Sequence, residues 1–80
     1  MLTKAMAKAL APEIAVNAVA PGGIDLGEKS AAAFMKKTAK RTPMQRNGTA
    51  ADIAAAVMFF AAAPQFITGQ VLAVDGGLGL

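Results

Sequence analysis

Leu2, Met6 and Leu10 recur at i, i+4 and i+8, with Ala5 and Ala9 beside them and Lys4 and Lys8 turned elsewhere. This spacing predicts an amphipathic helix over Leu2–Ala11 with a narrow, alanine-lined seam. Pro12 ends it, because the residue before a proline avoids the helical region. No capping residue precedes Leu2, so a helix starting at residue 1 reads as cut rather than begun. The run Ile14–Ala20 is almost continuously apolar, interrupted only by Asn17. Alternation would mark one wet face, whereas continuity predicts a strand buried on both faces, as in a parallel sheet. Pro21, Gly22, Gly23 and Gly27 then make residues 21 to 29 a loop at the strand's C-terminal end.

Ser30 is the expected N-cap of a helix reaching Arg41, with a thin apolar face of Phe34, Met35 and Ala39. Thr42-Pro43 breaks it, and Asn47-Gly48 makes a turn. Thr49-Ala50-Ala51-Asp52 is close to a capping box, with Asp where Glu is usual. The helix it starts runs to about Ala63, with Ile53, Val57 and Phe60 on one face, and Pro64 closes it. Gln70–Asp75 is a second apolar run and a second buried strand. Gly76, Gly77 and Gly79 read as a flexible tail.

The order is helix, strand, short helix, helix, strand. Strand–helix–strand at this spacing is a βαβ unit with a right-handed crossover. Two parallel strands leave unpaired outer edges and need cover on both faces. The expectation is an α/β fold, the C-terminal third of a doubly wound parallel sheet. Residues 1–80 would then be a portion of a domain and not a complete independent one. In open α/β sheets ligands bind just outside the C-terminal ends of the strands, where residues 21–29 lie.

Composition narrows the chemistry. Alanine fills 20 of the 80 positions, so much of the apolar count buries little area per residue. There is no Cys, His, Tyr or Trp. That removes disulfides, thiolate metal sites and every Ser-His-Asp or Cys-His arrangement. The five carboxylates are scattered, with no paired spacing on one helix face. No lysine lies in an apolar run that would depress its pKa. Neither G-x-G-x-x-G nor a P-loop occurs. No catalytic residue and no metal ligand is therefore assigned.

Net charge is +3, and five of the eight basic residues lie between Lys36 and Arg46. Without aromatic stacking residues this cluster is a solvated helix face, not a nucleic-acid site. The longest apolar run, Ile53–Ala63, falls well short of the ~20 residues that span a bilayer. Neither a membrane segment nor a secretory leader is expected, and the cytoplasm is the expected location. On residues alone, the candidate site is the loop Pro21 to Leu26. The backbone N–H groups of Gly23 and Ile24 could face a ligand there, with no bulky side chain at Gly22 or Gly23. A simple turn explains the same residues equally well.

Three stretches together resemble the short-chain dehydrogenase/reductase family. They are Val16-Asn17-Ala18-Val19-Ala20-Pro21-Gly22, then Arg46-x-Gly48 with Asp52-Ile53-Ala54, then Ile67 through Gly77 (ITGQVLAVDGG). They follow the family's order and spacing, and the likeness covers essentially the whole chain. The link Pro12-Glu13-Ile14 and the stretch Ala63–Ile67 are similar to pteridine reductase-like members, with 3-oxoacyl-carrier-protein reductases the next match.

The resemblance implies a Rossmann-like NAD(P)-binding sheet and hydride transfer to or from a carbonyl or alcohol carbon. It implies that Pro21, Gly22, Gly23 and Ile24 form the loop under the nicotinamide. Residues 27–43 would be the substrate lid. Leu26 stands where the family often has Thr, so a hydroxyl contact to the cofactor is lost. The family's Gly-rich loop, catalytic Ser, Tyr-x-x-x-Lys pair and structural Asn lie upstream of the matched region. The implied protein is a portion of an oxidoreductase, inactive alone and unable to bind the whole cofactor. It would form a homo-oligomer through residues 53–63 and 70–74. The alternatives are a stand-alone association module that pairs with a full-length paralogue, and a pseudogene remnant.

Overall fold

A computed structural model describes residues 2–80; Met1, and with it the expected uncapped helix start, lies outside the described residues. Helix α1 spans Leu2–Leu10, strand β1 Ala18–Pro21, helix α2 Ala32–Arg41, helix α3 Ala50–Ala62 and strand β2 Val71–Val74. A single 3-10 turn, Lys29–Ala31, precedes α2. The strands pair in parallel with Ala18 opposite Val71, Val19 opposite Leu72, Ala20 opposite Ala73 and Pro21 opposite Val74. The α/β order and the parallel pair are as the apolar pattern predicts.

The strand expected over Ile14–Ala20 forms a ladder only from Ala18 to Pro21. Upstream, side chains take over the pairing. Val16 N–H donates to Thr68 Oγ1 at 3.0 Å, and Asn17 Nδ2 donates to the Ile67 carbonyl at 3.0 Å. Gln70 N–H returns a bond to Asn17 Oδ1 at 3.0 Å. The cause is the turn at Thr68-Gly69, where Gly69 has φ +73° and the partner segment bends out of strand geometry. The single polar residue of the apolar run is thus a clamp across 50 residues of sequence. At the other end, Pro21 belongs to the strand and not to the loop. It closes the ladder, where its missing N–H breaks nothing.

Ser30 is not the N-cap of α2. It lies inside the 3-10 turn, wound by the bond from Ala31 N–H to the Glu28 carbonyl at 3.2 Å. Ala31 takes the cap position, and no side chain caps the helix. Helix α3 follows its expectation. Asp52 N–H donates to Thr49 Oγ1 at 3.3 Å and Thr49 N–H to Asp52 Oδ2 at 2.8 Å, closing the capping box. The glycines after β2 are not a loose tail. Gly77 N–H donates to Asp75 Oδ1 at 2.9 Å, and Met44 N–H to the Gly76 carbonyl at 3.0 Å. Gly76 and Gly77 hold φ +59° and +93°, on the left-handed side that glycine enters at no steric cost.

The apolar core is small. Ala7 and Ala56 are the buried hydrophobic residues, and the seam of α1 stays open, with Leu2, Met6 and Leu10 exposed. The exposed surface is 6002 Å², against ~4,450 Å² for a compact chain of this mass. The radius of gyration is 15.0 Å, against about 11.6 Å for a self-contained domain. Among the described residues, the apolar faces of α1, α3 and β2 are left largely exposed.

Candidate functional site

The site begins where β1 and β2 end side by side. Gly22 N–H donates to the Val74 carbonyl at 3.1 Å. A Cβ on Gly22 would lie 2.7 Å from Asp75 Cβ and 2.8 Å from Asp75 Cα. A Cβ on Gly23 would meet Thr38 Cγ2 at 2.5 Å and Asn47 Oδ1 at 2.8 Å. Both glycines are therefore required by the protein's own packing. The space beside their Cα atoms is taken up by Asp75, Thr38 and Asn47.

The backbone of the loop, whose N–H groups the sequence singles out, is held from a second side. The Gly23 carbonyl accepts from Gly48 N–H at 2.8 Å, and Asp25 N–H donates to the Gly48 carbonyl at 3.0 Å. These two bonds form a parallel bridge between Ile24 and Gly48. They hold the loop against the segment leading into α3. Among the described residues, the N–H groups of Gly23 and Ile24 have no protein acceptor. Pro21 has no N–H to give. The loop thus presents two adjacent donors, fixed by strand ends on one side and by Gly48 on the other. That arrangement fits a ligand carbonyl or carboxamide, and it involves the Pro21–Ile24 stretch expected from the sequence.

A cavity of about 400 Å³ lies beside the loop, lined among others by Asp25, Glu28, Lys29, Met35, Lys36 and Asn47. One wall is α2, which contributes no buried residue to the fold. A second cavity of about 220 Å³ lies between the start of α3 and the end of β2, with Arg46, Asp52 and Asp75 in its lining. Arg46 Nη1 bonds Asp52 Oδ2 at 3.2 Å and the Asn47 carbonyl at 3.0 Å. The Thr49 N–H and the Arg46 guanidinium together hold the Asp52 carboxyl below the usual carboxylate range. Its role is the helix cap and an exposed ion pair.

Three residues around the site carry more structure than their sequence context announces. Thr42 is buried, with its hydroxyl donating to the Thr38 carbonyl at 2.7 Å. Asn47 Nδ2 donates to the Met35 carbonyl at 2.7 Å and ties α2 to the loop. Asp75 organises the turn after β2 and presses on Gly22. Asn17 had a legible signal, a lone amide in an apolar run. Thr42 and Asn47 look like helix-ending and turn residues until their distant partners are seen.

Residues 1–79 match the family described as enoyl-(acyl carrier protein) reductase. A 3-oxoacyl-[acyl-carrier-protein] reductase of Thermotoga maritima is 40% identical over 81 residues, covering 96% of this chain and 33% of that protein. A short-chain dehydrogenase/reductase of Brucella melitensis, described as a glucose/ribitol dehydrogenase, superposes with a TM-score of 0.84 at 35% identity, covering 96% of this chain and 33% of that one. A small-chain dehydrogenase solved in complex with NADPH superposes at 0.82 with 38% identity, covering 96% of this chain and 37% of that one. The chain belongs to the short-chain dehydrogenase/reductase family of oxidoreductases, with the Rossmann-type α/β fold of its structural neighbours. It spans about a third of the length of the curated relatives it matches, 31% to 33% of the first three.

Proposed function

We propose that this chain is the C-terminal portion of an NAD(P)-dependent oxidoreductase that moves hydride to or from a carbonyl or alcohol carbon. It would carry the nicotinamide-side loop, the substrate lid and the subunit interface, and be inactive alone. The carrying observation is the pair of acceptor-free N–H groups at Gly23 and Ile24, beside the strand ends. When bound, the dinucleotide supplies the hydride carrier. Pro21, Gly22, Gly23 and Ile24 would hold its nicotinamide side, with the two N–H groups as donors to the carboxamide. The apolar side chain of Leu26 offers no hydrogen bond there. The other parts of the cofactor need residues this chain lacks. Residues 27–43 would cover the substrate; α2 within them has no buried residue, and the segment is held at Thr42 and at the Met35 carbonyl. A cytoplasmic location belongs to the same proposal; among the described residues, no helix is long and apolar enough to cross a membrane.

The expected homo-oligomer would form through residues 53–63 and 70–74. Its support is the apolar character of α3 on every side and the exposure of Val57, Met58, Phe59, Val71 and Leu72. A helix apolar all round belongs in an interior or an interface. The same surface supports the second reading, an association module that pairs with a full-length paralogue. Two measurements on the purified chain test these readings. NADPH oxidation with carbonyl substrates should stay at background, because no Tyr is present to donate a proton; turnover would overturn the first proposal. A folded dimer or mixed oligomer supports association, and an unfolded monomer at micromolar concentration removes it.

A further inference from the structure

Asn47 and Gly48 are adjacent, and each is tied to a different part of the fold. Gly48 N–H donates to the Gly23 carbonyl at 2.8 Å, and Asn47 Nδ2 donates to the Met35 carbonyl at 2.7 Å. Asn47 Oδ1 is buried and has no hydrogen-bond partner among the described residues. A buried amide oxygen without a partner is an uncommon and unfavourable feature. An asparagine followed by glycine also carries an intrinsic reaction, because no side chain on the second residue shields its amide nitrogen. We propose that Asn47-Gly48 is a site of spontaneous deamidation, restrained by the bonds to Met35 and Gly23, whose product opens the loop that Gly48 holds.

The step balances without any outside reagent except water. The Gly48 nitrogen, having lost its proton, bonds to Asn47 Cγ. The Cγ–Nδ2 bond breaks and ammonia leaves, taking up that proton. Water then adds to one of the two carbonyls of the five-membered imide, giving aspartate or isoaspartate. Ring closure needs the Gly48 nitrogen free and the Asn47 side chain rotated. Both native bonds oppose this, and two such bonds together correspond to roughly thirtyfold suppression.

The product cannot restore the contacts. An ionised aspartate has acceptors only. It would face the Met35 carbonyl with no donor, in a place where one oxygen already lacks a partner. Isoaspartate also lengthens the main chain by a methylene, displacing Gly48 from Gly23 and Asp25. The bridge that positions the Gly23 and Ile24 donors would therefore be lost irreversibly. This inference concerns the chain's own chemistry and stands independently of the proposed hydride transfer.

The test is peptide mass spectrometry on the full chain, held at mildly alkaline pH with and without urea. In urea, residue 47 should gain about one dalton, with an isoaspartate fraction, while Asn17, followed by Ala18, stays unchanged. In buffer the conversion should be about thirtyfold slower, and exchange of the Gly48 N–H should be slowed to a similar degree. No conversion in urea overturns the site. Equal rates in both conditions, or fast conversion while Gly48 N–H exchanges slowly, overturn the restraint. In the Asn47→Asp variant, Gly48 and Asp25 N–H should exchange faster than in the parent chain; unchanged exchange overturns the opening of the loop.

Discussion

Gly22→Ala is the most informative single change. The added methyl would sit 2.7 Å from Asp75 Cβ, 2.8 Å from Asp75 Cα and 3.3 Å from the Asp75 carbonyl oxygen. Two of these atoms are backbone, and the segment carrying them is held by the Gly77 and Leu78 N–H bonds to Asp75. They cannot move aside without parting the ends of the two strands. Overpacking of this kind destabilises by about 1–3 kcal/mol. The Gly22 N–H bond to the Val74 carbonyl should weaken with it. Gly48→Ala is the matched control, since its nearest neighbour is Ile24 Cδ1 at 2.8 Å, the far end of a side chain that can rotate. Urea unfolding followed by circular dichroism, with amide exchange at Gly22, compares the two variants with the parent. The expected order is parent, then Gly48→Ala, then Gly22→Ala. The packing rationale would be refuted by a Gly22→Ala protein as stable as the parent.

Asn17→Ala removes both side-chain bonds to residues 67–70 and should destabilise by about 1–3 kcal/mol in the same unfolding assay. Thr49→Ala deletes the cap of α3 and should cost about 1 kcal/mol, whereas Thr49→Ser should retain most of it. Asp52 has its folded pKa lowered by Thr49 and Arg46. Its contribution is therefore present above the unfolded carboxylate pKa and fades as pH falls through the folded value. Stability measured down an acid series should decline less steeply in Asp52→Asn than in the parent.

Local signals read well from the sequence. Thr49 and Asp52 form their box because both partners sit within one helical turn. Pro12 and Pro64 end helices through the geometry of their own rings. The continuous apolar runs yield a parallel pair, although their ladders are shorter than the runs. What stayed hidden depends on residues far apart in sequence. Ser30 has the chemistry of a cap, but the 3-10 turn places it inside a wound segment. Gly22 and Gly23 read as loop glycines, and the close approach of Asp75, Thr38 and Asn47 that bars a Cβ there is not visible in the sequence. Gly76 and Gly77 read as slack until Met44 N–H is found bonded to the Gly76 carbonyl and Gly77 N–H to Asp75. For the candidate site, the sequence already points to the Gly23 and Ile24 backbone N–H groups; what it does not show is the pair of bonds to Gly48 that holds their loop in place.

Sequencing the DNA immediately upstream of the Met1 codon tests most directly the proposal that this chain is the C-terminal part of a hydride-transferring enzyme. The expected result is an in-frame stretch encoding a Gly-rich dinucleotide loop and a Tyr-x-x-x-Lys pair. The Gly23 and Ile24 donors would then complete a nicotinamide site within one polypeptide. A stop codon or unrelated sequence at that place would contradict it, and partner binding through α3 and β2 would become the function to pursue.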